Sequence, residues 1–156
     1  MTTASKLTQY LTSHGASYDE LPHALTMSSL RTAEACHVSA DCLAKAVVLQ
    51  DDGGYLLAVL PASHHLRFQA LEKQRHQPVR MVTEDEIGRL FPDCAPGAVP
   101  PIGAAYGLDT IVDDSIAERP DIYFEGGDHE TLVHMSGPAF RALMADAQHG
   151  CFSSHP

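Results

Sequence analysis

The chain predicts an α+β domain in which helices pack around a mixed sheet. Three observations carry that reading. Helical and strand-like segments alternate without a βαβ rhythm, one pair of strands is joined by a connection too short for anything but a hairpin, and 156 residues with 44% hydrophobic content fit one core. The expected domain is 1–156, with its core over about 18–143 and a loose tail over about 148–156.

Leu7, Tyr10 and Leu11 recur at helical spacing in an opening helix that runs to His14, where Gly15 is placed to stop it. A short strand follows at Tyr18–Leu21. Ser28 or Ser29 caps a second helix that reaches about Cys36. The hairpin joins Ala44–Gln50 to Tyr55–Leu60 through Asp51-Asp52-Gly53-Gly54, four residues that favour turns.

Leu66–Arg75 reads as a helix and Val79–Val82 as a strand. Thr83 caps a helix through Phe91, with Glu86 at the capping-box position and Pro92 as the stop. Thr110–Val112, Asp121–Glu125 and Thr131–Met135 read as strands, the last two meeting at Gly126-Gly127-Asp128. Pro138 opens a closing helix.

Between the fourth helix and the next strand lies a long irregular stretch, and in it Gly97-Ala98-Val99-Pro100-Pro101-Ile102-Gly103. Two prolines bracketed by glycines fit neither a helix interior nor a central strand. The prolines fix φ and lack an N–H, while the glycines permit dihedrals and close approaches that a Cβ blocks. Such a loop is either a rigid structural turn or a surface that offers backbone groups to a small ligand.

The formal charge of −10 argues against a protein that coats nucleic acid, because nonspecific binding rests on neutralising many phosphates. The charge is nevertheless unevenly spread. Arg67, Lys73, Arg75 and Arg80 lie between Pro61 and Arg80 with Glu72 as the only acid, either as a solvated face or as a landing strip for a few phosphates. No segment resembles a signal peptide or a membrane span, and the four cysteines form no CxxC pair, so a cytoplasmic protein with reduced thiols is expected. Ten histidines are many for this length. His64-His65 are adjacent and His129 and His134 are five apart, so on strands each pair points to opposite faces and no metal site or cofactor is expected.

The GxSxG, P-loop, GxGxxG and HExxH signatures are all missing. Lys45 opens an otherwise apolar run, Ala44-Lys45-Ala46-Val47-Val48-Leu49, with no acid beside it, and either snorkels at a sheet edge or serves as an anion clamp.

The order of these features resembles one family. A lysine starting an apolar strand, a strand ending in Val59-Leu60-Pro61-Ala62, the Gly97-x-x-x-Pro101 loop, the step Val112-Asp113-Asp114-Ser115 and the Gly126-Gly127-x-His129 turn occur in the sequence of the YbaK family. That family is also known as the prolyl-tRNA-synthetase-associated editing domain. The resemblance spans about Tyr18–Leu143 and implies a barrel-like mixed sheet surrounded by helices. It also implies a metal-free hydrolase that removes a wrongly attached small amino acid, Ala, Cys, Ser or Thr, from tRNA, using a positioned water and the substrate's own 2′-hydroxyl.

By that resemblance Lys45 contacts the terminal nucleotide, while Gly97 and Pro101 line the aminoacyl pocket. Pro100, Gly103, Gly127 and His129 border the substrate, and Arg67, Lys73, Arg75 and Arg80 are candidates to touch the acceptor end. The partners implied are the acceptor end of aminoacyl-tRNA and, beside it, an aminoacyl-tRNA synthetase; DNA and membranes are not. Pro100 departs from the serine frequent at its position in the family, which leaves the amino acid open. A catalytically silent domain that binds tRNA ends is the alternative.

Overall fold

The computed structural model describes residues 3–26 and 28–156; Met1, Thr2 and Met27, part of the expected 1–156 domain, lie outside the described residues. The elements in order are α1 (Ser5–Ser13), β1 (Asp19–Pro22), α2 (Ser29–Cys36), β2 (Ala44–Asp51), β3 (Gly54–Pro61), β4 (His65–Leu66) and α3 (Phe68–Arg75). They continue with β5 (Arg80–Met81), α4 (Glu84–Leu90), a 3-10 turn (Gly103–Tyr106), β6 (Asp109–Asp113), α5 (Asp114–Ala117), β7 (Asp121–Glu125) and β8 (Thr131–Ser136). The chain closes with α6 (Gly137–Leu143), β9 (Gln148–Gly150) and β10 (Ser153–Ser154).

Local chemistry sets most boundaries. The side chains of Ser28, Thr83 and Ser136 accept hydrogen bonds from the backbone N–H groups of Arg31, Glu86 and Ala139, which would otherwise lack partners in the first turns of α2, α4 and α6. Gly15 takes φ +64° just past α1, a left-handed conformation that glycine adopts without steric cost. Glu86 also turns outward from its helix to accept from Tyr55 Oη at 2.7 Å, which ties α4 to β3.

A five-stranded mixed sheet runs β5-β2-β3-β6-β9, with β2 antiparallel to β3 and to β5, and β6 parallel to β3 and to β9. A three-stranded antiparallel sheet runs β1-β8-β7. Side chains alternate across the strands, so each sheet has an inner and an outer set. Val48, Leu57, Val59 and Val112 from one sheet meet Ile122, Phe124, Val133 and Met135 from the other, with Leu7 and Leu11 of α1 and Phe140 of α6 completing the main core. The opposite face of the five-stranded sheet offers Leu49, Leu56, Ala58 and Ile111 to Leu71 of α3 and to Phe152. A third cluster, Ala33, Leu43, Ala62 and Leu132, lies beneath α2.

Three expectations need correction. The barrel-like sheet is not closed: among the described residues the strands of the two sheets pair only at the bridge between Leu43 and Tyr123, reinforced by Tyr123 N donating to Cys42 O at 2.9 Å. The third helix begins at Phe68 rather than Leu66, because His65 and Leu66 pair with Ser154 and Ser153. The tail expected to be loose after Gln148 is instead paired along β6 and β4, and Phe152 within it is fully buried.

Asp113 explains that last result. Its buried carboxylate caps α5 through Ser115 N at 3.0 Å and holds the tail through Phe152 N at 2.8 Å. The Val-Asp-x-Ser step is thus a structural staple. Asp113→Ala should cost about 3 kcal/mol in urea unfolding, because it leaves two backbone donors unpaired in the interior. It should also raise hydrogen exchange selectively at 148–154.

Candidate functional site

Two segments far apart in sequence, the N-terminal one and the glycine-proline stretch, meet at the Gly126-Gly127 turn. The Asp128 side chain builds the turn, its Oδ1 accepting from Glu130 N and Thr131 N at 2.9 and 2.7 Å and its Oδ2 accepting from Thr131 Oγ1 at 3.0 Å. Gly127 takes φ +118° and His129 takes φ +61°. The turn is joined to the glycine-proline loop by Ala95 N donating to Gly127 O at 2.6 Å and by the contact of His129 Nε2 with Pro96 O. Ala4 N donates to Gly126 O from the other side at 2.7 Å.

The loop divides into two parts. Pro96 and Gly97 face solvent, whereas Pro100, Pro101, Ile102 and Gly103 are buried. Gly97, at φ +80°, lines a small, largely apolar cleft of about 170 Å³ with Ile87, Phe91, Cys94, Pro96 and Val99. Gly103 has a packing reason to be glycine, since a Cβ there would stand 2.1 Å from Thr110 Oγ1. Burial pushes the Cys94 thiol up to about 12, so this cysteine is held protonated and is no nucleophile at neutral pH. Tyr106 Oη and Lys6 N brace the loop by donating to the two carboxylate oxygens of Asp93 at 2.9 and 3.0 Å.

Lys45 lies on the outer side of β2. The Leu43–Tyr123 bridge is parallel, so two residues further along each strand Lys45 and Glu125 leave toward the same side. The Lys45 ammonium donates to His64 O at 2.7 Å and to Ala62 O at 3.4 Å, with no carboxylate partner among the described residues. Burial lowers its pKa from the ordinary lysine value. An ammonium held by backbone carbonyls has no counter-ion there, which leaves the position open to an anion.

Glu125, at the end of β7, is the polar centre that sequence reading missed. Its Oε1 accepts from Thr32 Oγ1 at 2.7 Å and lies 3.2 Å from His23 Nε2, while its Oε2 and the Nδ1 of His129 are buried without a partner among the described residues. Burial raises the Glu125 pKa above the usual carboxylate range, against the opposing pull of Thr32, His23 and His129. No local pattern marks this cluster, because Thr32 and Glu125 are 93 residues apart.

The residue pattern agrees with one comparison. The profile of the family described as the aminoacyl-tRNA editing domain matches residues 23–143. The chain belongs to that family. The editing domain is similar over 96% of its length to a crystal structure of a hypothetical protein, APE2540, of which it covers 100%, at 21% identity and a TM-score of 0.85. It is similar over 96% of its length to a protein provisionally described as a trans-editing enzyme for prolyl tRNA synthetase, of which it covers 95%, at 23% identity and a TM-score of 0.81. A provisionally assigned signal transduction protein from Marinobacter aquaeolei VT8 shares the fold at 22% identity and a TM-score of 0.77; the match covers 95% of this chain and 30% of that one. No protein of curated function matches the chain significantly. Among the described residues, no helix of the editing domain is long and apolar enough to cross a membrane.

The basic stripe is more divided than its sequence implies. Arg67, just before α3, and Lys73 on it are exposed. Arg80 is exposed and lies 3.9 Å from the partly buried Glu86. Arg75 is held inward: its guanidinium donates to Asp51 Oδ2 at 2.7 Å and to Gln148 Oε1 at 2.8 Å, and the side chains of Arg75 and Asp51 are only 12% and 2% exposed. Arg75→Ala should therefore cost about 3 kcal/mol in urea unfolding, because it strands a buried carboxylate. An Arg67→Ala exchange should leave stability within about 0.5 kcal/mol.

Proposed function

We propose that the chain is a trans-editing hydrolase that deacylates aminoacyl-tRNA carrying a wrongly attached small amino acid, drawn from Ala, Cys, Ser and Thr. The observation that carries the reading is the junction of the Gly97 loop with the Gly126-Gly127 turn, through Ala95 N to Gly127 O and His129 to Pro96 O. Family membership supplies the reaction class, and the junction supplies a rigid, glycine-edged wall against which an aminoacyl ester can be placed.

In this reading Lys45 holds the terminal nucleotide by its phosphate, as a point charge already stripped of part of its water. Gly97 and Pro101 shape the aminoacyl pocket; Pro100 and Gly103 fix the buried half of the same loop, and Gly127 and His129 border its other wall. An ester is already activated, so orientation of a water and of the substrate's 2′-hydroxyl, with oriented polar groups facing the developing oxyanion, suffices for hydrolysis. The protonated state of Cys94 is consistent with a route that forms no enzyme-bound acyl group. Pocket closure distinguishes neighbouring side chains by about 1–3 kcal/mol per methylene, so the loop sets the specificity by excluding larger groups. Arg67, Lys73 and Arg80 supply the remaining contacts to the acceptor end, with an aminoacyl-tRNA synthetase as the partner that releases the mischarged product.

The test is a panel of tRNAs charged with Ala, Cys, Ser, Thr and, as a bulky control, Phe. Release of one small amino acid by the wild type, with loss of release in Lys45→Ala, supports the reading. Binding of the acceptor end without release of any amino acid would instead identify a silent end-binding domain.

A further inference from the structure

A second constellation lies near His155, and the reaction proposed above does not use its side chains. Asp41 in the connection between α2 and β2, His64 just after β3 and His155 just after β10 each place one metal-capable atom within 4.8 Å of the other two. We propose that these residues bind one divalent transition-metal ion, of which Zn²⁺ is the natural probe.

The chemistry of the donors is that of a borderline cation: two imidazoles and one carboxylate, with a fourth position left for water. The outer contacts are also of the kind that orient metal ligands. Ser153 Oγ is 2.8 Å from His64 Nδ1, and Ser63 Oγ donates to Asp41 Oδ1 at 2.5 Å. With Ser153 accepting from Nδ1–H, the free lone pair of the His64 ring sits on Nε2. Tetrahedral coordination at ordinary Zn–N and Zn–O lengths needs ligand atoms about 3.4 Å apart, so separations that lie within 4.8 Å must tighten by at most about 1.4 Å. His155 can supply that movement. Its side chain is 64% exposed, its Nε2 already lies 3.7 Å from Asp41 Oδ1, and its ring centroid is 4.4 Å from that of His64. Arg119, at 4.0 Å from Asp41 Oδ2, is an exposed competitor that the ion has to displace or share.

The ion would tie the tail to the corner of the sheet. β10 contributes only two residues to its pairing with β4, so a bond at His155 would add a tie beyond Phe152 and the Asp113 contact to its N–H. His64 is also the residue whose carbonyl receives the Lys45 ammonium. A metal there would stiffen the carbonyl cradle of Lys45 from behind.

The experiment uses the untagged full chain, stripped by chelator and titrated with Zn²⁺ by calorimetry, with Co²⁺ absorption as a report on coordination. One site with a dissociation constant of about 1 µM or tighter is expected, weakened at least about 10-fold by Asp41→Asn and by His155→Ala and unchanged by His65→Ala. Zn²⁺ should also slow hydrogen exchange at 153–155. Melting of the metal-free variants, expected to match the metal-free wild type, shows that they remain folded. No binding, or binding that survives both Asp41→Asn and His155→Ala as chance capture by other histidines would, overturns the proposal. Neither result bears on the deacylase reading, because no readout involves tRNA.

Discussion

Replacing Lys45 by alanine is expected to lower kcat/KM for the preferred mischarged tRNA about 100-fold while leaving the fold intact. The side chain is half-buried, its ammonium is fixed by His64 O and Ala62 O, and no acid among the described residues neutralises it. A charge-assisted contact to phosphate made in a partly desolvated site is among the stronger single interactions available, and a 100-fold loss corresponds to about 2.7 kcal/mol. Stability should fall by no more than about 1.5 kcal/mol, the cost of leaving two carbonyls near a sheet corner without their donor. Single-turnover release of the amino acid, read beside urea unfolding, separates the two effects. Equal rates for wild type and variant would remove Lys45 from the site and with it the proposed mode of holding the substrate.

Gly127→Ala should lower stability as much as Asp113→Ala or Arg75→Ala. Gly127 sits at φ +118°, a region closed to side chains of L-residues, and an added Cβ would stand 2.8 Å from Ala4 Cβ and 3.3 Å from Cys94 Sγ. Backbone strain and overpacking each cost about 1–3 kcal/mol, so a loss of about 3 kcal/mol is expected. For a chain of this size that lowers the melting temperature by about 6–12 °C. The substitution also pushes on the junction with the glycine-proline loop, so deacylation should fall beyond what the unfolded fraction accounts for. Gly88→Ala supplies the comparison. Gly88 lies within α4 with open space around its Cβ position, and alanine there should stabilise the helix by about 0.5–1 kcal/mol. If Gly127→Ala melts with the wild type, the turn is not the rigid wall proposed.

The elements that were legible in the sequence are those whose signals are local. Ser28, Thr83 and Pro138 announce helix starts within three residues, Gly15 announces a stop, and Asp51–Gly54 announces the hairpin, because caps and turns are satisfied by near neighbours in the chain. The glycine-proline loop and the Gly126-Gly127 turn were legible as motifs for the same reason. Helix α5 was not foreseen, since its four residues leave no periodicity to read. Leu66 reads as helical in sequence because its strand partner, Ser153, lies 87 positions away.

The sequence by itself determined the α+β class, most element positions and, through the order of five short motifs, the family. Tertiary structure decided which of those motifs act together. Asp113 proved to be the staple that seats Phe152 in the second core, and Arg75 proved to be committed to Asp51. Structure alone also assembled His23, Thr32 and Glu125 beneath α2 and brought His155 to Asp41 and His64. The reason is physical: a buried polar group takes whatever partner the sheet register and helix packing deliver, and that partner's distance along the chain leaves no trace in local propensity.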